Sequence, residues 1–147
     1  MIETVLVAIG TGEGDRTDAL ADAVTDVAVP TGAGVVLLHV FTDEEYDDVR
    51  EQLRLNPEAE HDPDDVAVRR STVRDLRESF EAEGLDVTVR GAVGSPAERI
   101  VESANALDAD RVFVGGRRRR PTGKAVFGST AQSVLLNAPA PVTFVRD

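Results

Sequence analysis

The 147-residue chain contains no cysteine, no tryptophan, one tyrosine, and a single lysine among its 16 basic residues. Without cysteine it can form no disulfide framework, use no thiol nucleophile and ligate no metal through sulfur. No apolar run approaches the ~20 residues of a membrane-spanning helix, which argues against membrane insertion. No basic and apolar leader precedes the first apolar run, so we expect a cytoplasmic protein.

Positive charge is scarce as well, because 16 basic residues face 27 acidic ones and the formal net charge is −11. One interpretation is a negative field that repels nucleic acid and favours basic partners. The other is a halophilic protein, since an acidic, lysine-poor surface suits a salt-rich cytoplasm in which charges are strongly screened. We favour the halophilic interpretation because the acidic residues are dispersed along the chain. The broad basic face of a nucleic-acid-binding protein is not indicated.

The composition is that of a globular protein, with 41% hydrophobic residues, and the length suits one domain over residues 1–147. Apolar residues predict five strands, with an alternating pattern in the third and apolar runs in the others. They cover residues 4–9, 35–41, 85–89, 110–114 and 141–145. Segments with apolar residues at helical spacing separate these runs. Such alternation predicts an α/β fold with a doubly wound parallel sheet that is covered by helices on both faces.

The helical pattern is clearest over residues 64–83, which we predict to form one amphipathic helix ended by Gly84. Its apolar face consists of Val66, Val73, Leu76 and Phe80. Residues 42–64 are predicted to be an acidic loop, with a short helix inside it as the alternative. Residues 91–95 are predicted to be a loop that leads into a helix starting at Pro96.

The most informative stretch follows the fourth predicted strand. Its residues are Gly115 and Gly116, the arginines at 117–120, and then Gly128, Ser129 and Thr130. Glycine lets the backbone approach a ligand closely, and hydroxyls at a helix N-terminus help to hold an anion such as phosphate. The arginines would add charge-assisted hydrogen bonds to phosphate oxygens. The alternative is an ordinary strand-to-helix loop, in which Ser129 only caps the helix and the arginines are solvated.

Other nucleotide-binding and catalytic patterns are not supported. Six residues lie between Gly116 and Gly123 instead of the four of a Walker A loop, and Ala125 stands where a hydroxyl would bind magnesium. The glycine-rich residues 10–14 place their third glycine too early for the dinucleotide fingerprint. We expect His39 to be buried and packed, and we assign no residue a catalytic or metal-binding role.

In several segments along its sequence, the chain resembles the universal stress protein family, and the resemblance extends over essentially its full length. The matching segments are residues 5–8, 37–40, 93–96 with Ile100, 110–115, Gly128 with Ser129, and 140–142. The resemblance implies a five-stranded, Rossmann-like domain of the adenine nucleotide alpha hydrolase type, with strand order 3-2-1-4-5. It also implies a homodimer formed through the C-terminal strand Val142–Val145.

Many members of that family bind ATP, so the resemblance implies an adenine nucleotide, ATP with Mg²⁺, as the ligand of this chain. The family's motif is Gly, two residues, Gly, nine residues, Gly, and then Ser or Thr. Gly115 matches its first position, and Gly128 and Ser129 match its last two. Arg118 stands at the second glycine. An aspartate usually ends the first strand of the ATP-binding members, and Gly10 stands there.

The implied site has a phosphate end and an adenine end. The triphosphate would lie over Gly115, Gly116 and Arg118 and reach Gly128, Ser129 and Thr130. The adenine would pack near Ala8, Ile9 and Val40. Without a carboxylate at Gly10 the site lacks one hydrogen bond to the ribose or the adenine, and such a bond to a charged group is worth about 1.5–3 kcal/mol.

Two functions from different classes remain. The first is a cytoplasmic stress-response sensor whose loop order or partner binding changes with the nucleotide. Any hydrolysis would be slow, because no base that could orient an attacking water is evident. The second is a nucleotide-free interaction module, in which residues 117–120 form a docking surface. An enzyme related to the ATP pyrophosphatases is disfavoured, because residues 10–15 lack the Ser-Gly-Gly-x-Asp-Ser loop of that group.

Overall fold

Five strands form one sheet in the structure, a computed structural model that describes residues 1–9, 17–52, 62–115 and 129–145. The strands are β1 (Thr4–Ile9), β2 (Gly34–Phe41), β3 (Val87–Val93), β4 (Arg111–Gly115) and β5 (Val142–Val145). Their order across the sheet is β3-β2-β1-β4-β5, and all neighbours run parallel. The predicted α/β fold and the predicted strand order are confirmed.

Helices cover both faces of this sheet. They are α1 (Thr17–Thr31), α2 (Asp43–Gln52), α3 (Pro63–Val68), α4 (Ser71–Ala82), α5 (Pro96–Ala106) and α6 (Ser129–Asn137). The alternative of a short helix within residues 42–64 is confirmed by α2, and the predicted helix start at Pro96 is confirmed by α5. Within the described ranges, no helix has both the length and the apolar character needed to cross a membrane.

Each face of the sheet buries its own core, because successive strand residues point to opposite sides. The first core packs α1 and α4 against residues such as Val7 and Leu37, which are register partners in β1 and β2. The second core packs α5 and α6 on the other face, around Leu6, Leu38 and Val112. Burial on both sides explains why these strands are continuous apolar runs in the sequence rather than alternating ones.

A third and smaller core lies at the carboxyl ends of β2 and β3, under α2 and α3. Its buried members are Phe41, Val49, Val66 and Ala67, and Tyr46, Val89 and Val93 pack against them. A capping box opens α2, because the N–H of Glu45 donates to Oγ1 of Thr42 and the N–H of Thr42 donates to Oε1 of Glu45, both at 3.1 Å. This reciprocal pair satisfies two backbone donors that would otherwise lack a partner within the helix.

The prediction of a single helix over residues 64–83 is wrong. The segment is divided into α3 and α4, because Arg70 has an extended backbone with φ −73° and ψ 134°. The two helices bury their apolar residues in different places, with Val66 in the third core and Val73 in the first. A straight helix would keep both side chains along one stripe, whereas the break lets each helix turn toward its own core.

The predicted loop over residues 91–95 is wrong in its first part, because β3 extends through residue 93 and pairs there with the end of β2. The N–H of Gly91 donates to Oδ1 of Asp64 at 2.6 Å, which covers the outer edge of the strand. The start of α3 comes so close that a Cβ added at Gly91 would overlap the carbonyl of Pro63. Glycine is therefore required there by a close backbone approach and not by a turn.

Asp110 joins the amino ends of β1 and β4. Its carboxylate accepts hydrogen bonds from the N–H of Glu3 at 2.8 Å and the N–H of Thr4 at 3.1 Å. These bonds hold the pKa of Asp110 below its ordinary value. A carboxylate whose pKa is lowered by folding stabilises the folded state at pH values above its own pKa in the unfolded chain. This stabilisation is lost as the pH falls through the pKa of the group in the folded state.

We expect Asp110→Asn to lower the urea midpoint of unfolding at about pH 7 and to change it progressively less as acidification neutralises the wild-type carboxylate. Urea titrations followed by circular dichroism at about pH 7 and at successively lower pH values measure this difference. Asp26→Asn removes the same charge from an exposed position on α1 and serves as the control. If the difference in urea midpoint between Asp110→Asn and the wild-type chain stayed constant on acidification, the assigned role of the Asp110 carboxylate would be contradicted.

Candidate functional site

The strand order reverses at β1, which pairs with β2 on one side and with β4 on the other. Open parallel sheets bind ligands beyond the carboxyl ends of their strands at such a reversal. Ala8 is the register partner of both Leu38 and Val114, so it lies at the centre of this region. We call the ends of β1, β2 and β4, marked by Ala8, Val40 and Gly115, the switch-point edge.

Six of the ten predicted site residues lie within the described ranges, namely Ala8, Ile9, Val40, Gly115, Ser129 and Thr130. The remaining four, Gly10, Gly116, Arg118 and Gly128, lie outside the described residues. The first two residues of α6 are Ser129 and Thr130. A helix that connects two parallel strands runs back antiparallel to them, so its first turn opens at their carboxyl ends. The structure therefore brings the start of α6 to the switch-point edge.

The side chains at this edge divide between the two faces of the sheet. Ala8 and Val40 belong to the second core together with Val134 of α6, so they share a face with that helix. Ile9 belongs to the first core on the opposite face. Any contact that Ile9 makes with a ligand on the α6 face must therefore come from its backbone.

The backbone of Val40 is directed toward β1. On the β3 side of β2, the carbonyl of Phe41 accepts a hydrogen bond from the N–H of Gly94 at 2.8 Å. Because successive residues of a parallel strand direct their N–H and C=O groups to alternate sides, Val40 directs its own groups to the other side. Within the described residues, the last register pair of β1 and β2 is Ile9 with His39. Val40 follows directly after this pair on β2.

A second helix start opens at the same end of the sheet. Ser95 precedes α5 with an extended backbone, and Pro96 lies in the first turn. Gly94, at φ 139°, forms the turn from β3. In the part of the chain that the structure describes, the hydroxyl of Ser95 makes no capping hydrogen bond. Ser95 is not among the predicted site residues, although the Gly-Ser-Pro pattern after a strand is a signal for it.

The electrostatics of this face favour a negative ligand. Both α5 and α6 pack into the second core and present the positive ends of their dipoles at the carboxyl ends of the strands. No group of three or more histidine, aspartate or glutamate side chains within the described ranges is arranged to hold a metal ion. The arrangement can therefore bind an anionic group beside the apolar residues Ala8 and Val40.

His39 lies on the opposite face of β2 from Val40 and is buried, as predicted. Burial, and then the charge of Arg70, lower its pKa from 6.5 to about 4, against the opposing charge of Glu45. The imidazole is consequently neutral at neutral pH. Its position keeps it away from a ligand that lies against Val40 and α6.

Known proteins resemble the chain in sequence and in fold. The sequence profile of the universal stress protein family matches residues 1–146. A universal stress protein of Mycolicibacterium smegmatis is 34% identical over 79 residues, which are 53% of this chain and 61% of that relative. Matches to two further curated relatives span only 32% and 39% of their lengths.

Two solved structures share the fold. A universal stress protein in complex with cAMP has 20% identity and a TM-score of 0.66, and the match covers 99% of this chain and 97% of that one. The universal stress protein from Archaeoglobus fulgidus in complex with dAMP has 22% identity and a TM-score of 0.59, with 99% and 98% covered. At these identities the likeness shows the fold alone. The family profile, however, matches nearly the whole sequence, and the chain therefore belongs to the universal stress protein family.

Proposed function

We propose that this chain binds an adenine nucleotide, ATP with Mg²⁺, at the switch-point edge and acts in the cytoplasm as a homodimeric stress-response sensor. One observation carries the proposal: Ala8, Val40 and the start of α6 lie at one edge and on one face of the sheet. An apolar surface for a flat base thus adjoins a helix N-terminus for phosphate. The two structural relatives solved with cAMP and dAMP support the choice of an adenine nucleotide.

The phosphate end would be formed by the end of β4 and the start of α6. Gly115 ends β4 without a side chain, so its backbone can approach a phosphate closely. Ser129 is exposed and Thr130 is half-buried in the first turn of α6, where hydroxyl and N–H groups can donate to phosphate oxygens. The dipole of α6 adds attraction for negative charge. Mg²⁺ would be held mainly by phosphate oxygens and water, as is usual for this ion.

The adenine end would be formed by β1 and β2. Ala8 and Val40 are buried apolar residues of the second core, and the backbone of Val40 is directed toward the β1 side just after the last described pair of the two strands. Backbone N–H and C=O groups in that position can form hydrogen bonds to the edge of a purine. The ring would then rest against apolar side chains on the face that carries α6.

We expect binding rather than rapid turnover. Hydrolysis of ATP requires a residue that orients the attacking water. His39 is unsuited to that task because it is buried on the opposite face. A sensor that responds to occupancy does not need fast chemistry.

The homodimer is proposed to form through β5. This strand pairs with β4 on one side and is the last in the strand order of the described sheet, and a second copy could pair with it along its outer side. Leu135 and Leu136, on the adjoining helix α6, are exposed apolar side chains that a partner at this end of the sheet would cover.

Titration of the purified chain with ATP and Mg²⁺ in high potassium chloride, followed by calorimetry, tests the nucleotide site. We expect saturable binding, and we expect Ser129→Ala to weaken it about 10- to 100-fold. The reason is the loss of one hydrogen bond to a charged phosphate, which is worth about 1.5–3 kcal/mol. Gly128→Arg should weaken binding as well, by placing a large side chain at the start of α6.

Ser79→Ala is the matched control, because Ser79 is an exposed serine on α4, which packs into the first core on the opposite face. Its affinity for ATP should equal that of the wild-type chain. The proposal fails if the wild-type chain, shown to be folded by circular dichroism, binds no ATP. It also fails if Ser129→Ala and Ser79→Ala bind equally well.

A nucleotide-free interaction module is the second candidate. It is favoured by Arg118 and Gly10, which stand where the family motif has glycine and where its ATP-binding members have aspartate. Both residues lie outside the described ranges. A folded chain without affinity for ATP would support this candidate, and the search would then turn to protein partners.

A further inference from the structure

A short row of stacked side chains connects α2 to the interior of the sheet. The ring centroids of His39 and Phe41 are 4.3 Å apart, and those of Phe41 and Tyr46 are 5.6 Å apart. The guanidinium carbon of Arg50 lies 5.7 Å from the centre of the Tyr46 ring. We call His39, Phe41, Tyr46 and Arg50 the aromatic row. It begins inside β2 and ends on α2.

Among the described residues, α2 contributes few apolar side chains to the cores. Of its 10 residues, only Tyr46 and Val49 are apolar, and six are acidic. Those two side chains belong to the third core, which has four buried members within the described ranges. The first and second cores, by contrast, draw buried residues from several strands and helices. An element with so few buried contacts opens at a lower free energy than the sheet.

His39 lies at the buried end of the aromatic row without polar partners. It is 1% exposed, and within the described ranges neither Nδ1 nor Nε2 has a hydrogen-bond partner. The charged groups of the described residues that face it are Arg70, in the link between α3 and α4, and Glu45, on α2. A neutral ring can remain in this position, stacked on Phe41. A protonated ring would bury two N–H donors without acceptors and would be repelled by Arg70.

We propose that α2 is released by acid: protonation of His39 detaches α2 from the sheet and exposes Phe41 and Tyr46 while the first and second cores stay folded. Release of α2 would remove Tyr46 from the aromatic row and Glu45 from the neighbourhood of the ring, which lets the imidazolium meet water. Glu45 is the facing group that would attract the imidazolium, but its carboxylate is already engaged with the N–H of Thr42.

The direction of the pH dependence follows from the two states of the ring. In the open state His39 binds a proton with the ordinary pKa of 6.5, whereas in the closed state its pKa is about 4. Opening therefore becomes more favourable as the pH falls below 6.5, and the effect is complete below a pH of about 4. Between about pH 7.5 and pH 5, these values correspond to a rise of roughly 30-fold in the opening constant of α2.

Hydrogen exchange with mass spectrometry, corrected for the intrinsic pH dependence of exchange, measures this opening constant for peptides from α2 and from β1. Emission from Tyr46 provides a second signal, because it is the only tyrosine and the chain has no tryptophan. We expect protection of α2 to fall roughly 30-fold between about pH 7.5 and pH 5 while β1 stays protected. Loss of protection in α2 and β1 at the same pH would overturn the proposal.

His39→Gln keeps a neutral polar side chain at all of these pH values and should make α2 protection independent of pH. His61→Gln, at the only other histidine, is the matched control and should behave like the wild-type chain. A His39→Gln protein that still releases α2 with the wild-type pH profile would refute the role of His39.

If His39→Gln does not fold, nuclear magnetic resonance of the wild-type chain still tests the proposal. The imidazole C–H signal of His39 and the Tyr46 signal should then titrate together over the same pH range. A ring that becomes protonated while Tyr46 and α2 remain in their neutral-pH state would overturn the proposal.

Discussion

Replacing Gly91 with alanine is expected to lower the free energy of unfolding by about 3 kcal/mol, although the change adds only one methyl group. The added Cβ would overlap the backbone of Pro63 and come within 3.0 Å of the backbone nitrogen of Asp64. Backbone atoms cannot rotate away as a side chain can, so α3 would have to move. Overpacking of this kind costs about 1–3 kcal/mol, and loss of the bond from Gly91 to the Asp64 carboxylate adds about 1.5–3 kcal/mol.

Gly34→Ala is the control for that experiment. Gly34 also lies in a strand, but the nearest atom to an added Cβ is the carbonyl oxygen of Glu3 at 3.9 Å, an ordinary contact. Its effect on stability should be near zero or slightly favourable, because alanine restricts the unfolded chain more than glycine does. Urea unfolding followed by circular dichroism measures both variants, and equal losses of stability would contradict the close approach of α3 to β3.

Replacing Phe41 with alanine is expected to lower the free energy of unfolding by about 3–5 kcal/mol, the usual range for a fully buried phenylalanine. Phe41 is 0% exposed and lies in the third core. It stands between His39 and Tyr46 in the aromatic row. The substitution therefore leaves a cavity beneath α2 and α3 and removes a ring contact between Tyr46 and β2. Urea unfolding measures the total loss of stability, and hydrogen exchange shows whether α2 loses protection first.

Phe144→Ala provides the comparison, because Phe144 is only half-buried in the edge strand β5. The Phe144→Ala substitution should lower the free energy of unfolding clearly less than Phe41→Ala does. The lost transfer free energy and the penalty for the cavity both grow with the buried volume of the side chain. A loss of stability at Phe144 as large as that at Phe41 would contradict the prediction that the fuller burial of Phe41 makes the larger contribution.

The strands could be predicted because each has a local pattern of apolar residues, which burial on both faces makes continuous in β1 and β2 and which alternates at the start of β3. The order of the strands came from the resemblance to a family and not from the runs themselves. The split between α3 and α4 was missed, because Val66 and Val73 fit one helical stripe when their positions in the sequence are considered alone. The end of β3 was missed because Gly91 is typical of a loop, and its strand conformation depends on pairing with His39.

The candidate site was only partly predictable. Ser129 could be found locally, because Gly-Ser-Thr before a segment with helical spacing indicates a helix start. Ala8 and Val40 were assigned by resemblance, and the structure shows that they share a face with α6. The opposite orientation of Ile9 follows from the alternation of strand residues, but the register and the packing of the helices were needed to show which face carries α6.

By itself the sequence determined the class of fold and the positions of its main strands and helices, because these depend on the spacing of apolar residues along the chain. Only the tertiary structure decided the break at Arg70, the strand conformation of Gly91 and the burial of His39 without polar partners among the described residues. Each of these features depends on residues that are distant in the sequence. Gly91 and Asp64, for example, are 27 positions apart, and their contact arises only when α3 packs against the edge of the sheet.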